Sequence, residues 1–232
     1  FATCTDRIGW HGGAFVLPSM TIGDDAERIV FQSESQIENT FRQKRDVADW
    51  VAHIGARCVG NSRLVFPVAC AFAGALMRPG GLQSGGFHLR GDSSSGKTTG
   101  LLLAASVFGG SSYMQQWRTT DNALEATAAQ HCDSLLILDE LSQLEPKMAG
   151  ECAYMLANEQ DKRRKQQKLA GNNARLRWRL LFLSSGELGL ADHMAEGGKR
   201  VKPGQEVRMP EIPADAGQGM GAFENLNGAA SP

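Results

Sequence analysis

The sequence has no apolar run long enough to cross a bilayer, no C-x-x-C pair and almost no net charge. Its longest uncharged apolar stretch, residues 64–77 ("LVFPVACAFAGALM"), falls short of the roughly 20 residues a spanning helix needs. It reads instead as a buried helix with Pro67 in its first turn, and no membrane partner is expected. The five cysteines, Cys4, Cys58, Cys70, Cys132 and Cys152, are odd in number and dispersed. That excludes a disulfide frame and a zinc site, and points to reduced thiols in a cytoplasmic protein. A net charge of −1 excludes a global field toward nucleic acid, so any such contact must come from a local patch. The chain opens at Phe1 rather than Met with no signal peptide after it, which reads as a fragment or a processed piece.

What is present is a 232-residue chain with 42% hydrophobic content, enough for one core or a core plus a small appendage. The opening "IGWHGGAFVLPSMTIG" reads as a small hairpin or meander. Ile37, Phe41, Val47, Val51 and Ile54 predict a helix over residues 35–56. The glycine-rich residues 78–86 ("RPGGLQSGG") mark the best boundary. After it, strands alternate with helices: a strand at 87–90, a helix from Lys97, a polar strand ending near Trp117, and a helix over 121–131 capped by Asp121. An uninterrupted apolar strand at 134–138, a helix within 146–158 and a second apolar strand at 178–185 follow. The expectation is an α/β fold, a three-layer αβα core with a mostly parallel sheet, preceded by a small β-plus-helical segment. The expected units are residues 1–80, a nucleotide-binding core at 81–213, and a Gly/Ala-rich stretch at 214–232 that would begin a lid.

"GDSSSGKTTG" satisfies the phosphate-loop pattern G-x-x-x-x-G-K-[ST]. Gly91, Asp92, Ser93, Ser94, Ser95, Gly96, Lys97, Thr98 and Thr99 would present successive backbone N–H groups to a phosphate chain. The helix after them aims its N-terminal partial positive charge at the same place. Lys97 adds a full charge for the β- and γ-phosphates, and the Thr98 hydroxyl suits Mg²⁺. The strand before and the helix after separate this match from a chance one in a chain of 27 glycines.

"LLILDE" ends an apolar strand in two carboxylates. Asp139 would stand at the strand's carboxyl end, where open α/β sheets bind ligands, and hold Mg²⁺. Glu140 directly after it can polarise water for attack on the γ-phosphate. ATP and Mg²⁺ are the expected cofactors, with hydrolysis favoured over transfer to a small acceptor. The next strand ends in Ser184 and Ser185. Were that strand to lie between the two phosphate-binding strands, one hydroxyl would sense the γ-phosphate or the attacking water; the sequence does not say which.

The phrases "GWHGGAFVLP", "GFHLRGDSSSGKTTGLLLAASVFG", "WRTTDNALEATAAQH", "LLILDEL", "WRLLFLSSGE" and "GQEVRMPEIPAD" resemble an uncharacterised bacterial family. Its descriptions are domain of unknown function and "superfamily II helicase and inactivated derivatives". Members occur in phages, plasmids and integrative elements, often beside primase modules. The resemblance covers nearly the whole chain. It implies an AAA+-type ATPase core (a P-loop NTPase) with relatives among minichromosome-maintenance-like replicative helicases of mobile elements. One acidic pair followed by a serine sensor does not suit superfamily II. "YMLANEQDKRR" departs from the family's glycine-rich phrase at that place.

Residues 161–179 carry eight Lys/Arg against one Asp. Lys162, Arg163, Arg164, Lys165, Lys168, Arg175 and Arg177 flank the turn signal "AGNN". A hairpin here would resemble the DNA-gripping hairpin of ring helicases and neutralise phosphates. Arg175, Arg177 and Arg179 share one side of a strand, which solvation alone would also explain. Arg208, first, and Arg200, second, are candidates for the arginine that a neighbouring subunit contributes in ring ATPases. Expected partners are therefore DNA, a homo-oligomeric ring and a primase module. The competing reading is a nucleotide-gated switch acting on a protein partner.

Overall fold

The computed structural model describes residues 1–33, 38–118, 120–159 and 176–232. Five short strands open the chain: β1 (Thr3–Thr5), β2 (Gly9–His11), β3 (Ala14–Val16), β4 (Thr21–Gly23) and β5 (Ile29–Phe31). Strands β2, β3 and β4 form the expected meander, and β1 pairs with β5 in parallel. Trp10 and Phe15 lie opposite one another and pack edge to face at 5.2 Å.

The helix expected over 35–56 begins later. After α1 (Val47–Trp50) comes a π-helical turn (Val51–Gly55) and then α2 (Ala56–Cys58). The Asp46 carboxylate caps α1 by accepting the Asp49 N–H at 2.8 Å. Upstream, Phe41 is held off any helical face because it packs against Phe108 and Tyr113, while the Arg42 N–H bonds the Phe108 carbonyl. Helix α3 (Ser62–Leu76) starts before the apolar run, so Pro67 falls in its second turn rather than its first. The proline ring faces Gly100, where a Cβ would lie 3.2 Å from it.

The central sheet is built from β6 (Gly85–Arg90), β7 (Gln115–Gln116), β8 (Leu135–Asp139), β9 (Leu181–Gly186) and β10 (Glu211–Pro213). The strand order is β10-β6-β9-β8-β7 and every pairing is parallel. Connecting them are α4 (Lys97–Ala105), α5 (Asp121–Gln130), α6 (Pro146–Ala157), α7 (Leu190–Glu196) and α8 (Pro203–Glu206). Thr120, not Asp121, caps α5: its hydroxyl accepts the Ala123 N–H.

The period of 2 along β8 divides the core. Leu136 and Leu138 pack with Phe182, Trp117, Leu156 and Trp178 on one face. Leu135 and Ile137 pack with Leu183, Leu101 and Ala104 on the other, the face covered by α3 and α4. Both faces are therefore apolar, which is why "LLIL" does not alternate with polar residues. Helix α3 lies before the glycine-rich connection yet rests on the sheet. At Gly74 a Cβ would come within 2.7 Å of the Leu135 backbone N, so no side chain fits there. Among the described residues no helix is long and apolar enough to cross a membrane.

Asp133 fastens the meander to this core. It is fully buried at φ 57°. Both its carboxylate oxygens accept from Arg78 Nε at 2.8 Å, and Oδ2 also accepts the Trp10 N–H at 2.9 Å. Trp10 Nε1 donates to the Ala75 carbonyl at 2.7 Å, near the end of α3.

His131 ends α5 in a buried aromatic cluster, 5.1 Å from the Tyr113 ring. Its Nδ1 donates to the Thr127 carbonyl at 2.8 Å. Burial pushes its pKa down to about 4. Between that value and the unfolded value of about 6.5, the unfolded chain binds a proton that the folded chain refuses. His131 thus contributes stability that is full above pH 6.5 and is lost as pH falls toward 4, by up to about 3 kcal/mol. Urea denaturation at stepped pH is expected to show this decline, and His131→Leu to flatten it; an equal decline in the variant would exclude His131 as its source.

Candidate phosphate-loop site

Residues 91–99 follow β6 directly and run into α4. Ser94 at φ 63° and Gly96 at φ 92° take left-handed conformations. Gly96 needs its missing side chain twice over, since a Cβ would also come within 2.6 Å of Ala222 Cβ. The Lys97 ammonium is turned onto the loop, donating to the Gly91 carbonyl at 2.6 Å and the Asp92 carbonyl at 2.7 Å. Ser95 Oγ is buried with no hydrogen-bond partner among the described residues. Thr98 and Thr99 are exposed on the first turn of α4, and Asp92, Ser93 and Ser94 are exposed on the loop. A cleft of about 680 Å³ opens beside the loop, bordered by Arg90, Asp92, Ser94, Glu211, Asp215 and Gly221.

Strand β9 separates this loop from the acidic pair. Its register sets Leu89 opposite Ser185, and Leu138 opposite Ser184. Since all strands are parallel, the loop after Arg90 and the carboxylate of Asp139 emerge from the same rim. Their strands lie two spacings apart, about 10 Å. Asp139 shares the alternation of Leu135 and Ile137, and Ser185 that of Leu183, so both stand on the face covered by α4. There the Ser185 hydroxyl donates to Asp139 Oδ1. Ser185 Oγ also accepts the Glu140 N–H at 3.2 Å. Glu140 sits at φ 61°, and Ser142 Oγ donates to its Oε1 at 2.7 Å.

Ser184 faces the other way, into the core. Its Oγ accepts Trp117 Nε1–H at 2.8 Å and lies 2.9 Å from His88 Nδ1. His88 Nε2 is 2.9 Å from the Leu188 carbonyl, which can only accept, so the proton is on Nε2 and Ser184 donates to Nδ1. Burial lowers the pKa of His88, against the partial support of that carbonyl. Ser184 is thereby used inside the sheet, and only Ser185 meets the acids.

Arg208 is at the opposite rim, where its carbonyl accepts the Gly86 N–H at the start of β6. Its guanidinium lies 4.7 Å over the Tyr154 ring and donates to the Gly204 carbonyl at 2.6 Å. Arg200 is exposed between α7 and α8. Lys162, Arg163, Arg164, Lys165, Lys168 and Arg175 lie outside the described residues; Arg177 is exposed. The two ends flanking that basic stretch meet at the amino-end rim. The Trp178 N–H donates to the Glu159 carbonyl at 3.1 Å, and Arg179 pairs with the Glu159 carboxylate at 3.3 Å. Ser84 Oγ donates to that carboxylate at 3.1 Å and accepts the Leu180 N–H at 2.9 Å.

Sequence reasoning missed how residues 214–229 lie. They fold back over the candidate phosphate loop, with Ala222 on Gly96 and Gly221 against Ser95. Buried Asn61 anchors them: its Oδ1 accepts the N–H groups of Glu224 and Asn225 at 2.7 and 2.8 Å, and its Nδ2 donates to the Asn225 carbonyl at 2.8 Å. The Glu224 carboxylate accepts the Ser62 N–H. One asparagine between two helices carries no periodic signal that could have revealed this. Arg90, just before the loop, pairs with Asp192 of α7 at 2.8 Å and Glu211 of β10 at 3.4 Å.

Among solved structures the chain is similar to "SCCmec type IV Cch - active helicase", with a TM-score of 0.64 and 18% identity over 91% of this chain. That match takes in 40% of the other chain, so the present sequence spans well under half of that protein. NtrX from Brucella abortus in complex with ADP gives a TM-score of 0.37 at 16% identity, over 72% of this chain and 40% of that one. The S. cerevisiae Hsp104–ADP complex gives 0.39 at 14%, over 77% and 38%. These two are too loosely similar to bear on the fold, whereas the first shares it. No curated protein sequence matches the chain. A family model described as Domain of unknown function (DUF927) matches residues 1–175 of the 232. The chain belongs to that family.

Proposed function

We propose that the chain is the ATP-binding and ATP-hydrolysing core of an AAA+-type ATPase that works on DNA as a helicase or translocase subunit. The observation that carries the reading is the juxtaposition at one rim of the sheet. The phosphate loop and the Asp139–Glu140 pair flank a strand that ends in Ser185. Numbering the core strands in chain order gives 5-1-4-3-2, with the serine-bearing strand between the two site-bearing ones.

The residues fit a magnesium triphosphate. Ser95 offers a buried hydroxyl without a partner among the described residues, Gly96 opens the loop, and α4 points its N-terminus at it. Thr98 and Asp139 are hard oxygen donors suited to Mg²⁺, which would supply charge neutralisation on the phosphates. Lys97 would exchange the Gly91 and Asp92 carbonyls for phosphate oxygens. Glu140 would take a proton from the attacking water, and Ser142 holds its carboxylate meanwhile. Arg208 lies at the rim opposite its own loop, so it would serve only a neighbouring copy's site, within a ring; Arg200, exposed between α7 and α8, is the second candidate for that role.

DNA is the substrate to test first, because the fold is shared with a chain described as an active helicase. The basic residues 162–177 would supply the phosphate contacts. The chain that follows them bonds Glu159 through Trp178 and Arg179 at the foot of β9, whose head carries Ser185. The competing switch reading draws on residues 214–229, whose seat on the loop offers a partner protein a handle on nucleotide binding.

Lys97→Ala is expected to abolish ATP binding. Glu140→Gln should still bind ATP while turnover falls by about 100-fold or more; turnover at the wild-type rate would remove Glu140 from the role of base. Single-stranded DNA is expected to stimulate the ATPase in a salt-sensitive way. Reversing the charges at Lys162, Arg163, Arg164 and Lys165 should remove that stimulation and leave ATP binding intact. ATPase indifferent to DNA at every salt concentration would favour the switch.

A further inference from the structure

We infer that Ser185 is a positioning residue for the acidic pair: its hydroxyl orients the Asp139 carboxylate and holds the Glu140 backbone, and it does not itself bind the γ-phosphate. This rests on the hydrolytic reading above and deepens it. Ser185 is 1% exposed and has a single O–H proton. That proton goes to Asp139 Oδ1, which leaves Oδ2, unbonded among the described residues, to face a cation or its water shell. The same Oγ accepts the N–H of Glu140.

Glu140 needs that hold. At φ 61° a non-glycine residue sits in a sparsely populated region, so something must over-determine it. The Ser185–Glu140 bond fixes the backbone across two neighbouring strands, and Ser142 fixes the side chain from two residues away. Donating to the γ-phosphate would require Ser185 to release Asp139. Ser184 cannot take over, because it projects on the opposite face and is shared between Trp117 and His88. Partners of metal-holding side chains, when removed, typically lower metal affinity by about 10- to 100-fold.

The test follows fluorescent, non-hydrolysable ATP and ADP analogues binding to the whole chain, across a Mg²⁺ titration and in EDTA. For Ser185→Ala, the Mg²⁺ needed for half-maximal ATP-analogue binding is expected to rise by about 10-fold or more. Affinity in EDTA and the preference for ATP over ADP should stay as in the wild type, and Ser185→Thr should restore the Mg²⁺ response. Ser184→Ala should lower the melting temperature with the Mg²⁺ response unchanged. If Ser185→Ala does not fold, Ser185→Cys, similar in size and a weaker donor, is read in the same way. Loss of ATP-over-ADP preference with an unchanged Mg²⁺ requirement would mean direct γ-phosphate contact and overturn the inference, as would no change on any count. A wild type that binds neither analogue would overturn the hydrolytic reading, and this inference with it.

Discussion

Strand β9 is hydrogen-bonded to β6 on one side and to β8 on the other, and the geometry of the candidate site follows from that. Its insertion sets the separation of the phosphate loop from the acidic pair. Its alternation sends Ser185 toward Asp139 and Ser184 toward Trp117. Its lower end receives the chain returning from the basic stretch. A slip of one residue in its register would exchange the faces of the two serines: in one direction Ser184 would enter among Leu101 and Ala104, in the other Trp117 Nε1 would lose its acceptor. The fully apolar flanks of the strand and the buried bonds at its end both oppose that slip.

Buried polar groups do the joining between parts that apolar contact alone would leave loosely oriented. Asp133 receives Arg78 and the Trp10 backbone, fixing the meander against α3. The chain Trp117–Ser184–His88–Leu188 ties three strands to the turn that follows β9. Asn61 holds residues 224 and 225 beside the phosphate loop. In each case the donors and acceptors of the central side chain are matched within the fold. Removing that side chain would strand buried partners, at about 1–3 kcal/mol for each neutral group. These joints all lie beside elements that bear on the candidate site, so stability and site geometry are coupled through the same residues.

Much of the fold was legible because periodicity and punctuation are local signals. "SLLIL" announced a strand covered on both faces, "KTTGLLLAA" a helix, and "GWHGGAF" a tight turn between strands. Where legibility failed, a long-range contact outweighed a local pattern. Phe41 matches a helical spacing with Val47 and Val51, yet it leaves that series to join Phe108 and Tyr113. The apolar run at 64–77 shows neither that α3 begins at Ser62 nor that Pro67 falls in its second turn. The cap of α5 moved from Asp121 to Thr120, a shift within the usual uncertainty of helix ends.

Sequence alone marked out the candidate loop and the acidic pair, because each is a contiguous string: glycines, lysine and threonine in one, two carboxylates after an apolar strand in the other. It could not choose between Ser184 and Ser185, since adjacent residues on a strand differ only in the face they meet. It also could not foresee that residues 214–229 return to the phosphate loop. Those matters were decided by tertiary structure, through strand order, register and the pairing of buried hydrogen-bonding groups. Such pairings join residues from 45 to 164 positions apart and leave no local trace in the chain.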